Sequence, residues 1–492
     1  MKVIQSINET VLAKTVQRCK ERGIVIPTFA EQRDPAKVPE KIQKRLKDVG
    51  MQDTHPLNLF RITWKNEPKE KGGLYNRGNW VEFPSELTGV PVKLVGLVGK
   101  HFPVGAHKVG AAFACLVPRL VSGQFDPTTQ KAVWPSTGNY CRGGAFDSAL
   151  LACKAVAILP EGMSKERFEW LKSIGTDEII ATPGTESNVK EIYDKCWELR
   201  KTRGNAITIF NQFEEFGNAI WHYTVTGGAV EEIFKQVAPK NGRLAGYVSA
   251  TGSAGTISAG DYLRTIAPHV KVVATEALQC PTLLRNGFGA HRIEGIGDKH
   301  VPWIHNVRNT DVVAAIDDEQ CMQLMRLFNE EEGLRYLAKQ GVKEEFLKLL
   351  PLCGISGICN LIAGIKMAKY YEMDGRDVIM FPMTDSMDLY GSRKEELRAE
   401  HGAYNADKAS AHFARYLQGT QVDGLKELGY WDKKAIHNHK YFTWVEQQGK
   451  SSAELNQLWE PDFWTETFSQ AAEWDQLIRD FNDKTGVLKS LS

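Results

Sequence analysis

From about residue 90 to 390, short apolar runs alternate with longer amphipathic segments. The runs are KAVWPS, AVAILPEG, EIIATPG, AITIFNQ, LAGYVSATG, KVVATEA and DVIMFPM. They are too short for ordinary helices, and turn residues bound most of them, so they read as buried strands. Segments such as NVKEIYDKCWELRKTRG and TGGAVEEIFKQVA lie between them and read as helices. Parallel strands need crossover connections, and helices must then cover both faces of the sheet. The alternation therefore predicts an α/β chain with parallel sheets. Such folds bind ligands beyond the carboxyl ends of their strands.

The flanks differ from this core. Residues 1–75 are charged and helix-like, with AKVPEKIQKRLKDVG as the clearest pattern, and predict an N-terminal helical extension. Residues 76–400 form the expected core of two subdomains, the smaller at about 136–230. Residues 401–492 show no strand–helix alternation and predict a C-terminal helical extension. Trp431, Trp444, Trp459, Trp464 and Trp474 punctuate it, as anchors against the main body or a second subunit.

Charge and cysteine usage exclude whole classes of function. Among 492 residues, Lys+Arg minus Asp+Glu is 61 − 60 = +1, so no bulk charge draws the chain to nucleic acid or an anionic membrane. No apolar signal segment opens the chain, and its apolar stretches break well before the ~20 residues a membrane helix needs. Nine cysteines are scattered without a C-x-x-C, and the histidines lack ligand spacing. Neither a disulfide framework nor a metal site is expected, and a reducing cytoplasm is the simplest setting.

Four loops carry candidate chemistry. Lys108 follows Gly105, Ala106 and His107 and opens the apolar segment VGAAFACLVPRLV. Burial lowers a lysine pKa by disfavouring the ammonium, and a neutral amine condenses with an aldehyde. Ser136, Thr137, Gly138, Asn139 and Tyr140 close the KAVWP run. Hydroxyls and N–H groups at a helix start suit a carboxylate, although the same residues also cap helices. Gly252, Ser253, Ala254, Gly255 and Thr256 follow LAGYVSA, where small residues let the backbone approach a phosphate. Tight turns use the same residues, and the loop is neither a Walker loop nor G-x-G-x-x-G. Thr384, Asp385 and Ser386 follow DVIMFPM and put a hydroxyl at a strand end, where a helix cap is the other reading. Taken together, the four loops describe a site for a phosphorylated aldehyde, pyridoxal 5'-phosphate. Lys108 would take its aldehyde carbon, Asn139 its ring hydroxyl, residues 252–256 its phosphate and Ser386 its pyridine nitrogen.

With those residues in view, the stretch from about 95 to 395 resembles fold-type II pyridoxal phosphate enzymes of the cysteine synthase and cystathionine β-synthase group. STGNY is similar to the group's Asn loop. Asn211-Gln212-Phe213, Asn218, His222 and Thr226-Gly227 follow its N-Q-F…N…H…T-G pattern. GSAGT resembles its phosphate loop, and Ile293-Glu294-Gly295-Ile296-Gly297 resembles its I-x-G-I-G segment. Cys353-Gly354-Ile355-Ser356-Gly357 is similar to the G-I-S-G turn, and Asp385-Ser386 with Tyr390 to the D-S segment. GAHK is closer to the lysine segment of tryptophan synthase β chains, which implies a place for His107 near the phosphate. Three features depart from the group: the lysine segment, Tyr140 in place of the commoner Thr, and both extensions.

The resemblance implies two parallel-sheet domains with the cofactor in their cleft, and a homodimer. It implies β-elimination or β-replacement on a β-substituted L-amino acid, of the cysteine or O-activated serine type, through an aminoacrylate. Lys108 would move the α-proton, while Ser136, Thr137, Gly138, Tyr140 and Gln212 would meet the substrate. A neutral Ser386 hydroxyl at the pyridine nitrogen would favour chemistry at Cβ over transamination. A threonine synthase or serine/threonine dehydratase-like lyase shares these parts. The strand–Gly–helix pattern at 244–265 also leaves open a nucleotide-binding oxidoreductase.

Overall fold

The computed structural model describes residues 2–136, 138–184 and 189–491. Its strands are β1 (Trp80–Phe83), β2 (Lys93–Val98), β3 (Lys131–Pro135), β4 (Lys154–Pro160), β5 (Glu178–Thr182) and β6 (Ile207–Ile209). They continue with β7 (Arg243–Ala250), β8 (Lys271–Ala277), β9 (Val312–Ile316), β10 (Asp377–Met383) and β11 (Leu425–Glu427). One sheet runs β1-β2-β10-β7-β8-β9-β11 and the other β5-β4-β3-β6. The smaller sheet is wholly parallel. The larger is parallel except at its edges, where β1 opposes β2 and β11 opposes β9.

Burial explains the near-continuous apolar runs. Every residue of β9 and β10 is buried, because helices cover both faces of the sheet. Helix Ile355–Tyr370 packs on β10 and β7. Helix Lys108–Val121 is apolar almost all round, and only Lys108 and Arg119 escape full burial. It packs against helix Asn139–Leu150 and helix Phe216–Trp221. Gly143 permits the first contact, since a Cβ there would lie 2.8 Å from the Val109 Cα. This close crossing sets Lys108 beside the turn that follows β3.

All seven expected strands form, but four others escaped the pattern. β2 is fused in sequence to the apolar GKHFPV, and β1 and β9 are short. β11 lies in the stretch expected to be wholly helical, where its three residues pair with β9. AITIFNQ shrinks to Ile207–Ile209, since beyond the Phe210 N–H bond to Val133 O the chain turns at Asn211. AKVPEKIQKRLKDVG forms an α-helix over Glu40–Leu46, after a 3-10 turn at Pro35–Lys37.

Both ends of the chain fold back on the core. Helix Glu9–Glu21 packs against the 25-residue helix Pro461–Thr485. The Asp475 carboxylate accepts from the N–H groups of Phe29 (2.6 Å) and Ala30 (3.2 Å). Lys440 is buried and donates to Trp303 O (2.9 Å) and His305 O (2.7 Å), while Trp444 Nε1 donates to Val301 O (2.8 Å). Trp444, Trp459, Trp464 and Trp474 are buried in this way, whereas Trp431 is 78 % exposed. Among the described residues no single helix is long and apolar enough to cross a membrane.

Candidate active site

Segments following strands of both sheets converge on one cleft. Ser136, Asn139 and Tyr140 come from the turn after β3, and Gln212 and Phe213 from the segment after β6. Gly252 and Ser253 follow β7, Thr384 follows β10, and Lys108 arrives from β2 through a nine-residue connection. That loop is pinned to the end of β10: Gly99 N donates to Met383 O (2.8 Å) and His107 N to Thr384 O (3.2 Å). Within it Val104 holds a left-handed φ of 63°, a conformation that costs a β-branched residue free energy, and its carbonyl accepts from Arg142 Nη2 (2.9 Å).

The Lys108 amine donates to Ser253 Oγ at 3.2 Å. Protein encloses it except toward the cleft, and this burial lowers its pKa to about 8. Roughly a tenth of the amine is then neutral at pH 7, against about one part in a few thousand for a free lysine. A reactive amine and an anion loop are therefore in contact.

The loop after β7 is built to receive an anion. Among the described residues, the N–H groups of Gly252, Ser253, Ala254 and Gly255 donate to no acceptor. Ala254 has a left-handed φ of 61°, the alternation that turns successive N–H groups toward one point. Asn218 Nδ2 braces the loop, donating to Ser253 Oγ and Gln212 O, each at 3.0 Å. No side chain fits at Gly255, where a Cβ would stand 1.9 Å from Asn218 Oδ1. Behind the loop, His107 Nε2 lies 3.2 Å from Thr256 Oγ1, and Trp64 stacks on the His107 ring at 5.3 Å. His222 Nδ1 and Trp64 Nε1 both meet Thr226 Oγ1, at 2.8 and 2.9 Å. Burial, reinforced by nearby cationic groups, pushes both histidines well below their usual pKa, so they stay neutral. Unsatisfied N–H groups, hydroxyls and one lysine fit a phosphorylated aldehyde.

On the opposite wall Ser136 Oγ accepts from Gly138 N and Gln212 Nε2, both at 3.1 Å. Asn139 lines the cleft, but its Nδ2 donates to Asp385 Oδ2 at 2.6 Å, and its Oδ1 accepts from Arg142 (3.3 Å). A cofactor ring hydroxyl would share this amide with Asp385. Tyr140 also lines the cleft, edge-on to Trp134 at 5.5 Å, and burial keeps its phenol protonated. His107, Gly138, Ala254, Gly255 and Thr256 stand behind the lining. Thr137 falls outside the described residues.

One expected position lies outside the lining. Ser386 is buried and stands outside the residues lining the cleft, whereas Thr384 and Ser356 line it. The physical reason is local: Thr384 is still held at the strand end by His107 N, whereas Ser386 begins the helical turn Met387–Leu389. Ser356, in the first turn of helix Ile355–Tyr370, was visible in the G-I-S-G segment without being assigned a role.

Glu294, Gly295, Ile296 and Gly297 of the I-x-G-I-G segment also line the cleft, together with Asp298 directly after it. Glu294 is neutralised by Arg167 Nη1 and Arg393 Nε, each at 2.5 Å. Asp298 has no such guanidinium partner among the described residues. A carboxylate within or directly after a glycine-rich motif is the sequence signal for both.

Comparison with known proteins agrees with this geometry. Residues 98–337 match the family model for pyridoxal-phosphate dependent enzymes. A cysteine synthase of Staphylococcus aureus is 30 % identical over 268 residues, covering 54 % of this chain and 78 % of that protein. A cystathionine beta-synthase of Apis mellifera is 29 % identical over 255 residues, covering 50 % and 46 %. Among solved structures, an O-acetyl serine sulfhydrylase isoform of Entamoeba histolytica superposes with a TM-score of 0.56 at 23 % identity, over 69 % of this chain and 93 % of that one. A hydrogen sulfide-producing enzyme of Fusobacterium nucleatum gives 0.53 at 23 %, over 63 % and 94 %. The lysine, the anion loop and these relatives lead to one conclusion: the chain belongs to the pyridoxal-phosphate dependent enzyme family that includes the cysteine synthases.

Proposed function

We propose that this enzyme catalyses β-elimination or β-replacement on a β-substituted L-amino acid, with cysteine or an O-activated serine as the substrate type. The observation that carries the reading is the Lys108 amine, lowered to about 8 and hydrogen-bonded at 3.2 Å to the phosphate-type loop. The names of the relatives, cysteine synthase and cystathionine beta-synthase, support it.

Pyridoxal phosphate, when bound, withdraws electrons from the α-carbon of an attached amino acid. Lys108 would hold the aldehyde carbon and, once displaced by the substrate amine, accept the Cα proton. An amine with a pKa near 8 both takes and returns a proton close to neutral pH. The N–H groups of residues 252–255, with the Ser253 and Thr256 hydroxyls, would hold the phosphate. Ser136, Thr137, Gly138 and Gln212 would receive the substrate carboxylate, with Tyr140 beside them. We assign the pyridine-nitrogen contact to Ser356 or Thr384 in place of Ser386. A hydroxyl there leaves that nitrogen without a full positive charge, so loss of a group from Cβ competes well against transamination.

We further read the chain as a helical extension (1–75), a catalytic core (76–400) and a second extension (401–492), acting as a cytoplasmic homodimer. Nine free cysteines support a reducing compartment.

The test begins with the absorbance of the purified holoenzyme. A visible band is expected, and borohydride should fix the cofactor on the peptide that carries Lys108. Lys108→Ala should lose both that linkage and turnover; a variant keeping both would overturn the assignment. Pyruvate released without an added nucleophile would mark elimination, and its absence with product formed on adding a thiol would mark replacement.

A further inference from the structure

The cleft wall at 294–298 carries two carboxylates in different states. Glu294 lies between Arg167 and Arg393, so its charge is compensated. Asp298 lines the same cleft, is 7 % exposed and has no cationic Lys or Arg partner among the described residues. Its Oδ1 is engaged by His300, through the backbone N–H and Nδ1, both at 3.1 Å. Its Oδ2 is buried and meets no partner among the described residues.

A buried carboxylate oxygen without a donor is costly, and beside a substrate cleft an incoming proton-bearing group can supply that donor. The surroundings also hold this residue in place. Thr282 Oγ1 donates to Asp298 O at 2.8 Å, and the His300 ring lies against Tyr193 at 5.7 Å. Trp444 and Lys440 of the C-terminal segment anchor the chain just beyond, at Val301, Trp303 and His305.

Building on the proposed β-chemistry, we propose that Asp298 accepts the proton of the nucleophile that attacks Cβ. The nucleophile would then be a neutral X–H group, a thiol or water. In this step the X–Cβ bond forms and the X–H bond breaks. The proton passes to Asp298 Oδ2, and the electron pair displaced from Cβ goes to Cα, which Lys108 then protonates. Asp298 later releases its proton to solvent, with His300 on its other oxygen. Run backward, the same atoms protonate a departing thiol. An acetate-type leaving group departs as a stable anion and needs no proton, so Asp298 serves the nucleophile rather than that leaving group.

Asp298→Asn holoenzyme tests this with O-acetylserine and two nucleophiles. A thiol must lose a proton, whereas azide is already anionic. The spectral change on adding O-acetylserine alone should match wild type within about twofold, while kcat with the thiol falls about 100-fold, as for removal of a general base. The rate with azide should hold. Equal losses with thiol and azide, or no loss with thiol, would overturn the role of Asp298. Should the Asn variant not retain cofactor, Asp298→Ser carries the same comparison. A wild-type enzyme with no amino-acid-dependent spectral change would instead overturn the proposed function, and this inference with it.

Discussion

Asn139 donates its amide to Asp385 across the cleft at 2.6 Å, joining the turn after β3 of the small sheet to the end of β10 in the large one. Tyr390 adds a second donor to the same carboxylate oxygen at 2.8 Å. Asp385→Ala would leave both donors buried and unpaired, at a cost of about 1–3 kcal/mol. We expect a lower melting temperature and an amino-acid KM raised about tenfold, with the visible cofactor band retained. Steady-state kinetics beside a thermal melt checks this; an unchanged KM would show that the bond does not set the position of the Asn loop.

The anion loop makes a sharper demand. Gly255→Ala places a methyl where only 1.9 Å separates Cβ from Asn218 Oδ1. Asn218 must then move, and its bond to Ser253 goes with it. Cofactor affinity should fall by about 100-fold or more, the loss expected when roughly two charge-assisted hydrogen bonds are displaced. Titration of apoenzyme with pyridoxal phosphate, followed by absorbance, reads this directly. An affinity within threefold of wild type would contradict it.

Asp475 gives a pH signature. Burial pushes its carboxyl up to about 6 although two backbone N–H groups favour the anion. The folded state thus binds this proton more tightly than the unfolded chain, whose Asp titrates near 3.9. The resulting stabilisation is complete below about pH 4 and is lost as pH rises through 6. It amounts to about 2–3 kcal/mol at most. Asp475→Asn should flatten this part of the profile. Denaturant melts of both proteins at pH 4, 5, 6 and 7 would reveal it as a difference that narrows or reverses across the window; a constant difference would exclude it.

Trp444→Phe keeps an aromatic ring against Tyr193 and Trp303 but removes the donor to Val301 O. A loss of about 1–2 kcal/mol is expected from the unpaired carbonyl. Because Val301 lies three residues beyond Asp298, thiol turnover should also fall several-fold while cofactor binding stays unchanged. A pure stability loss with normal turnover would confine the C-terminal segment to a scaffolding role.

Much of the architecture was legible because strand–helix alternation and turn chemistry are local. A run such as DVIMFPM is apolar throughout because both faces of its sheet are covered. The glycine-rich loop after β7 shows its small residues in order. β1, β2 and β9 were harder to see, being short or fused to neighbouring apolar sequence, and β11 exists only because β9 leaves it an edge to pair with.

The chain's own residues thus determined the α/β class, the lysine and the loops that could meet an aldehyde phosphate, since each depends on neighbours a few positions away. Tertiary structure alone decided that Thr384 and Ser356 meet Lys108 at one cleft, that Arg167 and Arg393 neutralise Glu294, and that Asp298 keeps an oxygen without a partner among the described residues. Those outcomes depend on groups far apart in the sequence meeting in a low-dielectric cleft, where pairing or its absence sets the chemistry, and no local pattern records which groups will meet.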